Sequence, residues 1–411
     1  MTDRNANRPG YKQTKVGWIP EEWEVKRLES TSTVIMGQSP KSNFYNNQRE
    51  GLPLIQGMSD ISEGKTHPRY FTTQITKECQ PDDIILSVRA PVGNVARSNH
   101  HGCIGRGVCA IRSKKSSDFT YQLLKYMEPV WARYSQGSTF EAVVSKDVKQ
   151  FPVPNPPLAE QKKIAEILST WDRAIEQTQK LINAKRRLKK GLMQQLLTGR
   201  MRFPGFGAPA EKAGELPEGW ERIRIGAAAK AYSGGTPSRS NPSFYRGSIP
   251  WIKSGELNQQ FILQTEEKIS ELGLVNSSAK IVKKNTLLLA LYGATAGVPS
   301  ITKIDAAINQ AILAIEPKRF VLSKYLYYWL FFFKTTLVRK YTQGGQPNLS
   351  GKLVKAFRFN NPSRKEQEKI IGCLSTIDKE IFSLDHLVKR YKQQKTGLMQ
   401  KLLIGQIRVT H

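Results

Sequence analysis

Apolar and polar positions follow two different patterns along the chain, one typical of long helices and one of compact α/β modules. Within residues 364–404 the apolar positions recur in steps of four and three, with one break at Lys395. This sustained heptad predicts a helix that packs against another helix as a coiled coil, and residues 158–198 carry a similar stripe. At 1.5 Å per residue each helix would be roughly 60 Å long. The obvious partner of each stripe is the other helix, in antiparallel orientation.

Shorter runs rich in β-branched residues precede each predicted helix. Residues 83–89 and 107–112 have the composition of strands, and residues 119–134 that of a helix. The same order returns in the second half of the chain, at residues 286–291, 311–315 and 323–341. Each half therefore predicts a mixed α/β module followed by a long helix.

The two halves are diverged copies, residues 17–198 and 214–404. The recurring segments are the module opening (17–23 and 214–220), the Glu-Gln-x-Lys-Ile start of each helix (160–164 and 366–370) and its Gly-Leu-Met-Gln-x-Leu-Leu end (191–197 and 397–403). Two copies are too few for a solenoid, so the repeat predicts a pseudo-twofold protein. We delimit a first module (1–157), a first helix (158–198), a linker (199–214), a second module (215–363) and a second helix with its tail (364–411).

The charge of the chain indicates a polyanionic partner. Lys and Arg number 63 against 34 Asp and Glu, which gives a formal charge of +29. Nucleic acid is the usual partner of so basic a protein, and a merely basic protein without such a partner is the alternative. No signal-peptide pattern is recognised, and the most apolar run, Tyr325–Phe333, is far shorter than the roughly 20 residues that span a bilayer. We expect this run to be a buried helix, and the protein to be cytoplasmic without a membrane partner.

Metal-dependent and histidine-based catalysis are not expected. The four cysteines form no Cys-x-x-Cys pair and are interpreted as small buried residues in a reducing compartment. His100 and His101 are adjacent, so a regular strand cannot direct both rings at one metal. The chain contains no His-Glu-x-x-His segment.

Two segments resemble motifs of amino-group DNA methyltransferases. Asn155-Pro156-Pro157-Leu158 is similar to the Asn-Pro-Pro-aromatic motif, and Phe203–Gly207 to the glycine loop that holds S-adenosylmethionine. Such a loop is expected after a strand and before a helix, whereas this one follows a predicted helix. The first segment ends in Leu and aligns with Asn360–Ser363, so a helix-entry turn is the better interpretation.

Polar loops at equivalent places in the two modules are candidates for base contacts. Gln, Asn, Ser, Thr and Arg side chains hydrogen-bond base edges in the major groove, although they are also common in ordinary turns. The first-module candidates are Gln38, Ser39, Lys41, Arg89, Arg106, Gln136, Ser138 and Thr139. The second-module candidates are Thr236, Ser238, Arg239, Tyr292, Gln310, Gln343, Gln346 and Asn348.

Taken together, the repeated segments resemble the specificity (S) subunit of a Type I restriction-modification system over essentially the whole chain. The resemblance implies two α/β target-recognition domains, related by a pseudo-twofold axis and separated by two long antiparallel coiled-coil helices. It also implies a non-catalytic subunit that binds a bipartite, asymmetric site in double-stranded DNA and directs adenine methylation or restriction by its partners.

The resemblance further implies two methyltransferase (modification) subunits docked on the helices, with restriction subunits joining the full complex. S-adenosylmethionine, ATP and magnesium are then expected on those partners, and no cofactor on this chain. We expect the heptad residues to contact the partners, namely Ile164, Leu168, Trp171, Ile370, Leu374 and Ile377. Two other classes stay open, an enzyme that acts on DNA through its own cofactor or metal and a coiled-coil scaffold that binds all duplexes alike.

Overall fold

The computed structural model describes residues 8–135, 142–212, 214–341 and 349–409, which divide into two compact units. Unit 1 contains Met1–Lys180 and Asp385–His411, and unit 2 contains Leu181–Leu384. The boundary falls within both long helices. Each unit therefore combines the first half of one long helix with the second half of the other.

Unit 1 is a mixed α/β unit that opens with a β-hairpin. Its strands are β1 (Tyr11–Thr14), β2 (Gly17–Pro20), β3 (Glu24–Arg27), β4 (Ser32–Met36), β5 (Tyr45–Asn46), β6 (Leu52–Ile55), β7 (Ile61–Ser62), β8 (Lys65–Thr66), β9 (Tyr70–Thr72), β10 (Glu78–Cys79), β11 (Ile84–Ser87), β12 (Val95–Arg97), β13 (Gly102–Ile104), β14 (Val108–Ser113) and β15 (Pro152–Asn155). Its helices are α1 (Leu28–Thr31), α2 (Ser117–Tyr126), α3 (Glu128–Ser135), α4 (Ser145–Gln150) and the first part of α5 (Leu158–Thr198).

Unit 2 repeats the main strands and helices of unit 1, but its described residues form no opening hairpin and include an additional short helix, α7. Its strands are β16 (Glu221–Arg224), β17 (Ala229–Ser233), β18 (Ile249–Ile252), β19 (Phe261–Ile262), β20 (Glu267–Ile269), β21 (Lys280–Val282), β22 (Leu287–Ala290), β23 (Pro299–Thr302), β24 (Ala306–Ile308), β25 (Ile312–Pro317) and β26 (Arg358–Asn361). Its helices are α6 (Ile225–Ala228), α7 (Glu271–Val275), α8 (Ser323–Tyr341), α9 (Gly351–Ala356) and the first part of α10 (Arg364–Leu402).

The core of unit 1 lies on both faces of one sheet, in the order β4-β14-β11-β12-β8-β7. Side chains alternate across a strand, so Ile84 and Leu86 of β11 pack with Leu123 of α2 and Ile164 of α5. Ile85 points to the other face and packs against the second sheet, β10-β13-β6-β9-β5. Burial on both faces explains why this strand is apolar throughout rather than alternating.

Unit 2 has the same layers around the sheet β17-β25-β22-β23-β19. Leu287 and Leu289 of β22 pack with Tyr325 of α8 and Ile370 of α10. Leu288 faces the sheet β20-β18-β24-β21. The predicted strand 286–291, the predicted helix 323–341 and the apolar stripe at the start of α10 therefore share one core.

One predicted helix is two helices in the structure. Residues 119–134 were predicted as continuous, but α2 ends at Tyr126 and α3 begins at Glu128. Pro129 explains the interruption, because its ring lacks an N–H and clashes with the carbonyl of the preceding turn. The corresponding part of unit 2 has no proline and forms the single helix α8.

The predicted apolar run in α8 is buried from Tyr325 to Leu330, whereas Phe331 is 45% exposed. Tyr325, Tyr328 and Leu330 are fully covered in the core of unit 2. In the described part of the chain, no helix combines the length and the apolar character needed to cross a membrane. Cys79, Cys103 and Cys109 are free and buried, as predicted, whereas Cys373 is only half-buried. Burial raises the pKa of the Cys109 thiol to about 12.

Candidate nucleic-acid interface

Three strand ends of unit 1 bring separated polar residues to one edge of its main sheet. Strand β14 pairs antiparallel with both β4 and β11, so the end of β4, the start of β14 and the end of β11 meet there. Gln38 and Ser39 follow β4, Arg106 precedes β14, and Arg89 follows β11. We call this surface the unit 1 edge. Its candidate residues come from positions up to about 70 apart in the sequence.

Short hydrogen bonds fix the backbone of the unit 1 edge. The amide of Gln38 donates to the carbonyl of Ile104 at 2.9 Å, and the amide of Arg106 donates to Ser39 Oγ at 3.0 Å. Gly37 is required here, since a Cβ at this position would lie 2.2 Å from the carbonyl oxygen of Gly105. The Gly-Gln-Ser-Pro segment at residues 37–40 is therefore a fixed support for the loop that carries Arg106.

The loop that follows β9 also belongs to this edge, although the sequence did not single it out. Gln74 Oε1 accepts a hydrogen bond from the amide of Lys41 at 2.8 Å. Thr76 Oγ1 donates to the carbonyl of Gln38. These contacts join segments more than 30 residues apart, and no motif marks them in the sequence.

Arg89 contacts Ala142, the first described residue after 136–141. It pairs with Ala142 in an isolated β-bridge, and the amide of Val143 donates to the carbonyl of Val88 at 2.9 Å. The candidates that precede this bridge, Gln136, Ser138 and Thr139, lie outside the described residues.

Unit 2 forms an equivalent edge from equivalent strand ends. Strand β25 pairs antiparallel with β17 and β22, and the hydroxyl of Thr236 donates to Gln310 Oε1 across the two loops. Tyr292 follows β22 and is 36% exposed. We call this surface the unit 2 edge. The candidates Gln343, Gln346 and Asn348 lie outside the described residues.

Two candidates of the second module are engaged in local structure. The guanidinium of Arg239 pairs with Glu267 at 2.8 Å and lies 4.1 Å from the ring centre of Tyr245. The hydrogen bond that Arg239 donates to the carboxylate of Glu267 raises the pKa of Arg239. Ser238 Oγ lies 2.7 Å from Ser240 Oγ. Arg239 already has a carboxylate partner, so it is a weaker candidate for base contact than its residue type suggested.

The structure places the expected partner-binding residues inside the units. Ile164 and Leu168 belong to the core of unit 1, and Ile370 and Leu374 to that of unit 2. Ile377 is also buried. The sixth residue, Trp171, packs edge-on against Tyr391 of α10 at 5.6 Å between ring centres. The five buried side chains hold each module to its helices and do not present a surface for another chain, whereas Trp171 is half-buried.

The repeated glutamate at the start of each long helix closes a buried junction. In unit 1, Glu160 accepts from the indole of Trp23 at 2.9 Å and from the guanidinium of Arg408 at 2.8 Å. In unit 2, Glu366 accepts from Trp220 and Arg202, both at 2.9 Å. Burial of these carboxylates is tolerated because each has a cation and a neutral donor. The module opening and the helix start recur together because they form this contact.

The glycine after each long helix completes the same junction. Gly199 and Gly405 have φ values of +75° and +68°, which L side chains rarely adopt. A Cβ at Gly199 would lie 2.4 Å from Pro217, and one at Gly405 would lie 2.4 Å from Pro20. Helix end and module opening are therefore too close for any side chain.

The two long helices run antiparallel within each unit and share a polar pair. In unit 1, Lys395 of α10 contacts Asp172 of α5 at 2.6 Å, at the break in the heptad. In unit 2, Lys189 of α5 contacts Asp378 of α10 at 2.5 Å. Residues 185–190 are rich in lysine and arginine, and Lys189 is one of them. At least this lysine of the basic segment stabilises the fold through an ion pair.

The methyltransferase-like segments have structural contacts. Asn155 ends β15, which pairs with β3, and its Oδ1 accepts from Gln161 Nε2 at 3.2 Å. Gln161 also donates to the carbonyl of Pro156 at 2.8 Å. The corresponding Gln367 makes the same two contacts with Asn361 and Pro362. The segment is the predicted helix-entry turn. Among the described residues, no group of three or more His, Cys, Asp or Glu is placed to hold a metal ion.

Comparison with known proteins gives a consistent result across both halves of the chain. A family model described as the Type I restriction modification DNA specificity domain matches residues 20–186 and 217–388. The putative type I restriction enzyme MjaX specificity subunit of Methanocaldococcus jannaschii is 39% identical over 197 residues, which cover 47% of this chain and 46% of that protein. The type I restriction enzyme MjaIX specificity subunit of the same organism is 24% identical over 97% of this chain and 96% of its own length.

Solved structures show the same fold. The S subunit of a Type I restriction-modification system from M. genitalium matches with a TM-score of 0.60 at 16% identity, covering 94% of this chain and 97% of that one. A chain from a study of the assembly of the type I R-M system matches with a TM-score of 0.57 at 18% identity, covering 95% and 99%.

Proposed function

The chain belongs to the Type I restriction-modification DNA specificity family, and from this premise we propose that its two units read the two halves of a bipartite, asymmetric DNA site. The observation that carries the proposal is the pair of equivalent edges. Each unit directs loops from three strand ends of its main sheet to one surface. Because the two edges carry different side chains, two different half-sites are expected.

The hydrogen-bonding groups of the edges suit base readout. Gln38 and Arg106 in unit 1 and Thr236 and Gln310 in unit 2 are exposed. Amide and guanidinium groups present paired donors and acceptors that match base edges in the major groove. Fixed loop backbones favour specific contacts, because little conformational entropy is lost when DNA binds.

The net charge of +29 supports the DNA partner as a whole. Lysine and arginine side chains that neutralise phosphates release counterions, so affinity falls steeply as salt rises. These contacts position the duplex and carry no sequence information. We expect the edges to supply specificity and the general basic surface to supply most of the affinity.

Catalysis is supplied by partner subunits, because specificity subunits are the non-catalytic members of these systems. We propose two methyltransferase subunits that hold S-adenosylmethionine and methylate adenine, one for each copy of the repeat. Restriction subunits that use ATP and magnesium would join this complex in the cytoplasm. Five of the six heptad residues are buried, so we assign docking to exposed positions of the long helices, among them Leu188 and Phe382.

Competition binding tests the proposed function. The full chain is equilibrated with a duplex selected from a random pool, and unlabelled random duplex is added as competitor. Specific recognition predicts that the selected duplex resists competition by at least 1,000-fold, the lower end of the usual specificity ratio. Equal competition by both duplexes would leave only a scaffold that binds all DNA alike.

Module exchange tests the assignment of one half-site to each unit. Replacing residues 17–150 with the corresponding module of another family member is expected to change one half-site and leave the other as it was. A change in both halves would contradict independent reading by the two units.

A further inference from the structure

We propose that the unit 1 edge reads a guanine through Arg106 and that the unit 2 edge reads an adenine through Gln310. The inference rests on the proposed function and adds the identity of one base in each half-site. Arg106 and Gln310 occupy the same place, the loop before β14 and the loop before β25. Each loop is hydrogen-bonded to the segment that follows the first strand of its own sheet, residues 37–40 in unit 1 and 234–237 in unit 2. The two edges therefore present different chemistry from one shared position.

Arg106 is held on a rigid support. It lies between Gly105 and Gly107, and a Cβ on Gly107 would be 2.2 Å from the carbonyl oxygen of Gln56. The amide of Arg106 is bonded to Ser39 Oγ at 3.0 Å. The loop therefore packs against two other segments through its backbone, and the side chain of its middle residue is exposed.

The guanidinium of Arg106 is available for a ligand. Within the described ranges it has no carboxylate partner, in contrast to Arg112, which pairs with Asp83 at 2.7 Å. A guanidinium presents two parallel N–H donors, and guanine presents two acceptors, O6 and N7, on its major-groove edge. Arginine on guanine is the commonest specific contact of this kind.

Gln310 is oriented for a different base. The hydroxyl of Thr236 donates to Gln310 Oε1, which restrains the amide, and the oxygen has a second lone pair for another donor. The oxygen can then accept from the N6 amino group of adenine while Nε2 donates to N7, the bidentate pairing of Gln with this base. Thr236 is thus a positioning residue for the amide.

Selection from a random duplex pool with the full chain tests the assignment. The variants are Arg106→Gln and Gln310→Arg, which exchange the two groups one at a time. Arg27→Gln is the matched control, because Arg27 is an exposed arginine of β3 outside the edge. The readout is the ratio of affinities for two duplexes that differ only at the selected base pair, so a general loss of affinity does not affect it.

Arg106→Gln is expected to lower the preference for guanine at one position of one half-site by about 10- to 100-fold and to leave the other half-site unchanged. Gln310→Arg is expected to replace adenine by guanine at one position of the other half-site. The control keeps both half-sites.

The base assignment is overturned if Arg106→Gln or Gln310→Arg retains the wild-type preference at every position. It is also overturned if both variants alter the same half-site. A wild-type chain that selects no sequence at all would instead refute the proposed function, so the two failures are distinguishable.

Discussion

Glu160 and Glu366 show how a repeated residue can be important for folding rather than for binding. Both carboxylates are buried, and each joins the tryptophan of a module opening to an arginine that follows a long helix. The second junction is more enclosed, because Arg202 is only 6% exposed while Arg408 is 36% exposed. Removal of Glu366 leaves the indole of Trp220 without this acceptor and Arg202 with only backbone carbonyls, whereas removal of Glu160 leaves Arg408 paired with Glu22.

We expect Glu366→Ala to lower the free energy of unfolding by about 3–5 kcal/mol, since it leaves a buried arginine uncompensated. Glu160→Ala is expected to cost less, about 1–3 kcal/mol, because water reaches Arg408 and Glu22 remains as its partner. Urea unfolding measures both values. Glu368→Ala is the control, an exposed carboxylate two residues from Glu366. Equal losses in all three variants would contradict a role for burial.

The acid sensitivity of unit 2 provides a second prediction at this scale. Hydrogen bonds from Arg239 and Lys253 hold the pKa of Glu267 below its usual value. The stability that Glu267 contributes is therefore complete above the unfolded pKa of 4.5 and is lost as pH falls through the lower folded pKa. We expect Glu267→Gln to have a lower free energy of unfolding than wild type at pH 7, and the difference to shrink as pH falls below 4.5. A constant difference across that range would show that the carboxylate charge has no part in it.

At the scale of elements, the sequence predicted the long helices well and their contacts poorly. The heptad marks α5 and α10 because a buried stripe repeats with the helical period. The stripe does not identify what covers it, and Ile164 and Leu168 proved to contact the module core. Likewise, β11 and β14 were predicted as strands and β4 was not, and the convergence of all three at the unit 1 edge depends on pairing between residues about 20 to 80 positions apart. Arg239 was a DNA candidate by type, and only the fold shows Glu267 beside it.

The polar pairs between the long helices are expected to set their register. A charged pair at a heptad core position favours the alignment in which both partners meet. In a double-mutant cycle with alanine, we expect a coupling energy of about 1–3 kcal/mol for Lys189 with Asp378. A smaller value, below about 1 kcal/mol, is expected for Lys395 with Asp172, because Asp172 is 42% exposed. Urea unfolding gives both cycles, and a zero coupling for the first pair would refute the register role.

At the scale of the whole molecule, each compact unit depends on residues from both copies of the repeat. The end of α10 contributes Met399, Leu402 and Leu403 to the core of unit 1. The end of α5 contributes Met193, Leu196 and Leu197 to that of unit 2. The boundaries of the repeat and of the compact units therefore differ. Each unit receives the second half of one long helix from the other copy of the repeat.

Truncation after residue 394 tests this dependence. It removes three large apolar side chains from unit 1, each contributing about 2–5 kcal/mol, a total comparable with the stability of a whole domain. We expect hydrogen exchange to accelerate throughout residues 8–180 while unit 2 keeps its protection. Deletion of residues 410–411 alone is the control. Unchanged exchange in unit 1 after the longer truncation would contradict the shared core.

Unit 1 is formed by two segments that are far apart in the sequence, and this arrangement determines which unit can finish folding first during synthesis. Unit 2 is continuous in sequence, from Leu181 to Leu384, whereas unit 1 needs the segment from Asp385 onward. At 5–20 residues per second, roughly 220 residues separate Lys180 from Leu403 on the ribosome, a delay of about 10–45 s. During that interval the apolar core residues of unit 1 lack their contacts with Met399, Leu402 and Leu403 of the α10 end. The half that is synthesised first is therefore the half that finishes folding last, and it is the one that a chaperone would have to protect.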